Sequence, residues 1–182
     1  MRLSILTALA ALGSVAVAQL KSTVVVENIQ VLTVKSQKLI QPAKELSILN
    51  APLLFIGQGP WPKIIIGLGD IVTTITLDVT AMSTGPKAKY VGSEATAIAD
   101  AFRLFVKTHR ELLDILISVG GFITKIPMVG PPVAAVLRSI ERVVDTLARG
   151  IIDTLEASVA AALRTDYDGL KVTIGSAVRT FS

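Results

Sequence analysis

Apolar residues recur every three or four positions through nearly all of the chain after residue 18, the spacing that gathers them on one face of successive α-helices. In the first such run Val25, Ile29, Leu32, Ser36, Leu39, Ala43 and Leu46 alternate steps of four and three, with Ser36 the one polar member. Pro42 removes an amide near its end, so a kink or stop is expected there. A connector rich in turn residues, Asn50-Ala51-Pro52 and Gly57-Gln58-Gly59-Pro60-Trp61-Pro62, leads into Ile64, Leu68, Ile71, Ile75, Val79 and Met82. Many of the side chains here are β-branched, which favours strand, but about 19 residues is too long for one and the helical period persists.

After Thr84-Gly85-Pro86, Ser93 stands as the expected N-cap of a third helix. It carries Ile98, Phe102, Phe105, Leu112, Leu113 and Leu116 opposite Asp100, Arg103, Lys107, Arg110, Glu111 and Asp114. Pro131-Pro132 suit the first turn of a fourth helix through Val133, Leu137, Ile140, Val144, Leu147 and Ile151. A fifth runs through Ala160, Leu163, Tyr167, Leu170, Ile174 and Phe181, with Gly169 and Gly175 making it the weakest of the set. The pattern predicts an all-α, antiparallel bundle of about five amphipathic helices.

The first 18 residues read differently. Arg2 is followed by an apolar run from Leu3 to Leu12 and by Ala16-Val17-Ala18, the order of a secretory signal peptide. Residues 19–182 then form a single domain, expected to be secreted into the extracellular space. The chain has no cysteine, so packing alone must hold it together. Its net charge of +4 is scattered among acids and aromatics are few, which argues against a nucleic-acid partner. The longest weakly charged stretch after residue 18, residues 115–137, is broken by Gly120-Gly121, Lys125, Pro127 and Pro131-Pro132, so no transmembrane segment is expected.

Chemistry is sparse. His109 is the sole histidine and falls in the apolar series of the third helix, where a structural histidine, either satisfied or facing the core boundary, is the expectation. No ligand set for zinc or calcium, no phosphate loop and no nucleophile motif occurs. No catalytic residues, metal or cofactor are therefore expected, and the chain is not read as an enzyme. The connectors, by contrast, are unusually apolar: Leu53, Leu54, Phe55, Ile56 and Trp61 in one, Phe122, Ile123, Ile126, Met128 and Val129 in the other. Such residues either cap the core or contact apolar material outside it. Trp61, Phe122, Ile126 and Met128 are the candidates for surface contact or for a lid, with Gly120-Gly121 as a hinge.

Three segments carry a resemblance. Gly59-Pro60-Trp61-Pro62-Lys63-Ile64-Ile65, Phe105-Val106-Lys107-Thr108-His109-Arg110-Glu111-Leu112-Leu113, and Gly130 to Glu141 with Val143 to Ala148 make the chain similar to the fungal hydrophobic surface-binding proteins. That family includes the lipid-binding domains of cell-wall galactomannoproteins. The resemblance implies a five-helix bundle that either encloses a long-chain lipid or adsorbs to hydrophobic solids such as wax, cuticle or polyester. Some members recruit hydrolases there, and others are cell-wall antigens. The chain departs from the wall-attached relatives in lacking a Ser/Thr-rich tail and anchor signal, which counts against wall attachment.

The leading expectation is a carrier for a fatty acid or similar lipid in a cavity between the second, third and fourth helices. Its walls would be Leu68, Ile75, Val79, Phe102, Phe105, Leu116, Val136, Ile140 and Val144. Gly67, Gly69, Ala97, Ala101 and Ala135 would supply the small residues that a cavity needs.

Overall fold

The computed structural model describes residues 19–83, 89–123 and 129–182, without the side chains of residues 51, 55, 122 and 123. The signal-peptide reading of residues 1–18 lies outside them. Five helices are present: α1 (Ser22–Lys44), α2 (Pro60–Ser83), α3 (Gly92–Ile123), α4 (Gly130–Thr154) and α5 (Ala157–Phe181), with a 3-10 segment, Ala51–Ile56, between α1 and α2. The sole extended pairing among the described residues is a bridge between Tyr90 and Leu155. Consecutive helices alternate in direction, as the all-α bundle reading requires.

Local chemistry moves the boundaries slightly. Pro42 lies in the last turn of α1, which ends two residues later. Ser93 lies one residue inside α3 rather than capping it, because Gly92 adopts a positive φ of 58° and starts the helix. The β-branched threonines of α2 satisfy their hydroxyls within the helix by donating one turn back, as Thr74 does to Asp70 and Thr80 to Thr76.

The five helices close into a ring in the order α1, α2, α4, α5, α3 and back to α1. Contacts along each seam fix the directions. Lys35 pairs with Asp70 and Leu39 lies over Gly67, so α1 and α2 are antiparallel. Ser22 bonds Glu94 and Ser36 meets His109, so α1 and α3 run together. Arg103 bonds Asp166 at 3.0 Å while Gly120 abuts Thr180, so α3 and α5 also run together. Tyr167 bonds Asp145 and Arg138 bonds Ser182, making α4 and α5 antiparallel.

A cavity between α2, α3 and α4, as expected, would lie across the axis of this ring. α2 packs on α1 and α4, and α3 packs on α1 and α5, on the other side of the axis. Helices adjacent in sequence therefore need not be neighbours in the ring.

Of the small residues expected to line a cavity, Ala101 is buried in the core, and the others do something else. A Cβ on Gly67 would lie 2.3 Å from Leu39 Cδ2, so this glycine lets α1 and α2 approach closely. Gly69 has nothing within 4 Å, and Ala97 and Ala135 face solvent. Gly120, expected as a hinge, is inside α3 and pressed against Thr180 and Phe181. Gly169, expected to weaken α5, accommodates the Arg110 guanidinium.

The Gly67–Leu39 contact yields a test. In the parent, Gly67→Ala should destabilise by about 1–3 kcal/mol, because overpacking outweighs the better helix propensity of alanine. In a Leu39→Ala background the same change should stabilise by up to about 1 kcal/mol. Urea unfolding of the four proteins of the cycle measures both, and equal effects in the two backgrounds would show that the seam is not this close.

Candidate functional site

At the end of the ring where α2 and α4 finish, Val79, Met82, Leu147 and Gly150 line an apolar crevice of about 170 Å³. Ser83, Thr146, Asp153 and Thr154 form its polar rim. The helical periods of α2 and α4 put 79 and 82, and 147 and 150, on facing stripes. Gly150 matters here because a Cβ would already lie 3.8 Å from Met82 Cε, so the thioether side chain rests over bare backbone. A further void of about 10 Å³, walled by Val25, Asn28, Ile29, Asp78 and Ile151, shares Met82 and Leu147 with the crevice. Met82, flexible and unbranched, is the partition between the two.

Both spaces are small beside the roughly 300 Å³ at which small-molecule sites begin. Accommodation of a long acyl chain therefore requires the interior to widen. A larger depression of about 700 Å³ lies on the outer side of α3, lined by Lys44, Arg103, Lys107, Arg110, Glu111, Asp114 and Asp166 among others. Its mixed charges suit water better than hydrocarbon.

Three buried side-chain atoms among the described residues have no hydrogen-bond partner: Trp61 Nε1, Asp78 Oδ2 and His109 Nε2. Asp78 borders the smaller void, and burial raises its carboxyl above the ordinary carboxylate range. Trp61 is fully buried and meets Phe181 edge-on, with ring centroids 6.4 Å apart. This corrects its candidacy as an exposed contact residue: α2 begins at Pro60, and its first turn points the indole into the end of the core. Ile126, Met128 and the side chain of Phe122 lie outside the described residues. Val129, from the same connector, is buried.

His109 and Ser36 meet in the interior. Both are fully buried, with Ser36 Oγ 2.9 Å from His109 Nδ1, and the imidazole stacks on Phe105 at 5.3 Å. The expectation of a satisfied histidine holds for one ring nitrogen and fails for the other. A serine beside a histidine invites a catalytic reading, yet no carboxylate reaches Nε2 to orient the ring, and burial lowers the imidazole to about 4. A base that weak does not activate a hydroxyl near neutral pH. Sequence reasoning noticed both anomalies, a serine in the apolar stripe of α1 and a histidine in that of α3. Nothing local said that the two stripes share a seam.

Of the residues expected to contact lipid, Leu68, Ile75, Phe102, Phe105, Leu116, Ile140 and Val144 are fully buried in one continuous core. Val136 is half-buried against that core, and Val79 lines the crevice.

Neither a protein-family model nor a curated protein matches the chain. Solved structures do. Ligand binding domain 1 of the Penicillium marneffei MP1 protein, complexed with arachidonic acids, superposes with a TM-score of 0.69 at 18% identity, over 88% of this chain and 95% of that one. AFMP4P in complex with palmitic acid gives 0.66 at 14% identity, over 88% and 99%. Ligand binding domain 2 of the MP1 protein, also with arachidonic acids, gives 0.69 at 14%, over 88% and 91%. The chain has their fold. At these identities the likeness covers the path of the helices and leaves the side chains of each interior to be argued from the chain itself.

The buried imidazole makes stability depend on pH in a defined direction. His109 is depressed to about 4 in the fold, whereas the unfolded chain titrates near 6.5. Between those values the unfolded state binds more protons, so this contribution is complete above pH 6.5 and is lost as pH falls towards 4. The loss is about 3 kcal/mol at most. Urea unfolding of the parent and of His109→Gln at pH 4, 5, 6 and 7 should show a gap between the two curves that changes across this window. A constant gap would place the imidazole in water.

Proposed function

We propose that this protein is a non-catalytic carrier that takes a long-chain fatty acid or similar lipid into the interior of the helical ring. The observation that carries the reading is the crevice at Met82, an apolar gap between α2 and α4 that shares Met82 and Leu147 with a second void. The shared fold supports it, since similar structures are described as complexes with arachidonic and palmitic acids. The acyl chain would lie among Leu68, Ile75, Phe102, Phe105, Leu116, Ile140 and Val144, with Val79 at the mouth and Val136 at the edge. Swinging Met82 off Gly150 joins the two voids, and spreading of the ring supplies the remaining volume. The order of charge, apolar run and small residues in 1–18 supports export of the carrier.

A second reading has its own observation. Ile48, Leu49, Leu53 and Ile56 are exposed within one short connector, Leu49 at 92%. Four apolar side chains in nine residues suit adsorption to a hydrophobic solid. Leu49→Ser with Ile56→Ser should leave stability within about 0.5 kcal/mol. Under this reading the pair loses adsorption to polystyrene beads, and under the carrier reading alone lipid uptake is unchanged by it.

Native mass spectrometry of the protein incubated with palmitic acid tests the carrier directly, with a bound mass of one or more acyl chains expected. Gly150→Phe, which fills the crevice from the α4 side, should slow uptake of a fluorescent fatty acid severalfold without lowering the melting temperature. Uptake at the parent's rate would mean that lipid reaches the interior by another route.

A further inference from the structure

The Ser36–His109 pair is costly unless something completes it. A buried polar atom without a partner carries its full desolvation penalty, and an apolar pair at these two positions would fit the surrounding core without it. Burial lowers the imidazole, and among the described residues no charged side chain bonds the ring. The stacked Phe105 occupies one face, and Ser36 occupies Nδ1. Nε2 is left without a partner among the described residues.

We infer that His109 Nε2 is the anchor for the carboxyl group of a long-chain fatty acid lying in the ring, with Ser36 setting the imidazole's hydrogen-bond direction. The inference rests on the carrier reading of the interior. Imidazole suits this role because it answers either form of the ligand. When the Ser36 hydroxyl donates to Nδ1, the hydrogen sits on Nε2 and is given to a carboxylate; when Nδ1–H donates to Ser36, Nε2 accepts from a carboxylic acid.

The geometry also orients the ligand. Lys35, next to Ser36, pairs with Asp70, so the anchor lies level with residue 70 of α2. Twelve residues further along α2 is Met82, and at 1.5 Å per residue the separation is about 18 Å. That is the reach of an extended long-chain acyl group. The head would bind at His109 and the tail would end at the crevice. The reverse orientation would set the ligand carboxyl beside Asp78, whose buried oxygen already lacks a donor.

The test compares palmitic acid with hexadecane, which has the same number of carbons and no head group, on the parent, Ser36→Ala and His109→Phe. His109→Phe should remain folded, since it replaces an imidazole stacked on Phe105 with another planar ring. It should bind hexadecane as the parent does and palmitic acid about 10- to 100-fold more weakly, the worth of one hydrogen bond to a charged group. Because either variant can perturb the core, the ¹⁵N resonances of the parent imidazole are followed as well. Nε2 should shift on adding palmitic acid and stay in place with hexadecane. Equal palmitic acid affinity in His109→Phe, or an Nε2 signal that ignores palmitic acid while it binds, overturns the anchor and leaves an internal water as its partner. A parent that takes up neither compound overturns the carrier reading, and the anchor with it.

Discussion

Closing five amphipathic helices into a ring obliges each to turn an apolar stripe towards one shared axis, and the other features of the molecule follow from that closure. A chain without cysteine has only packing to hold it. Each large side chain buried on the axis contributes on the order of 1.5–3 kcal/mol, and all five helices supply them. The ends are closed by different means. Trp61, Phe181 and the close approach at Gly120 seal one, while the Tyr90–Leu155 bridge ties α3 to the chain between α4 and α5 at the other. The second end is where α2 and α4 part enough to leave a crevice.

The helices were legible because their periods are long and regular. Each of the five stripes read from the sequence is buried for most of its length, including the β-branched α2, whose threonines satisfy themselves along the helix. Their arrangement was not legible. Loop length says that α2 precedes α3 closely in sequence, but not that each packs mainly on other helices. The order of the helices around the ring escaped for that reason. The roles of Gly67, Gly120 and Gly169 escaped for a related one: a glycine that admits a neighbour is recognisable only once the neighbour is known. Leu39, Thr180 with Phe181, and Arg110 lie far from them in sequence.

Polar atoms tell the rest. A bundle interior built only for stability has no use for a serine, a histidine and an aspartate oxygen out of reach of water. Here Ser36 and His109 meet at mid-height and Asp78 borders the smaller void, while charged pairs such as Arg103–Asp166 and Arg149–Asp145 stay on the outside. The exterior pairs are worth little in water. The interior groups cost more than they return within the chain alone, which is the signature of an interior shaped for something besides itself. The small volume of the voids means that the ligand-free ring is nearly closed. On the carrier reading, binding displaces side chains, Met82 first, rather than filling a standing hole.

Where the acyl chain lies decides between an interior carrier and a surface-active protein. Isotope-filtered NOE spectra of ¹³C-labelled palmitic acid on the methyl-labelled protein give that location. The account predicts cross-peaks from the acyl chain to methyls of Leu68, Ile75, Ile140 and Val144, with the terminal methyl nearest Val79 and Met82. Cross-peaks confined to Ile48, Leu49, Leu53 and Ile56 would contradict it and put the lipid on the outside.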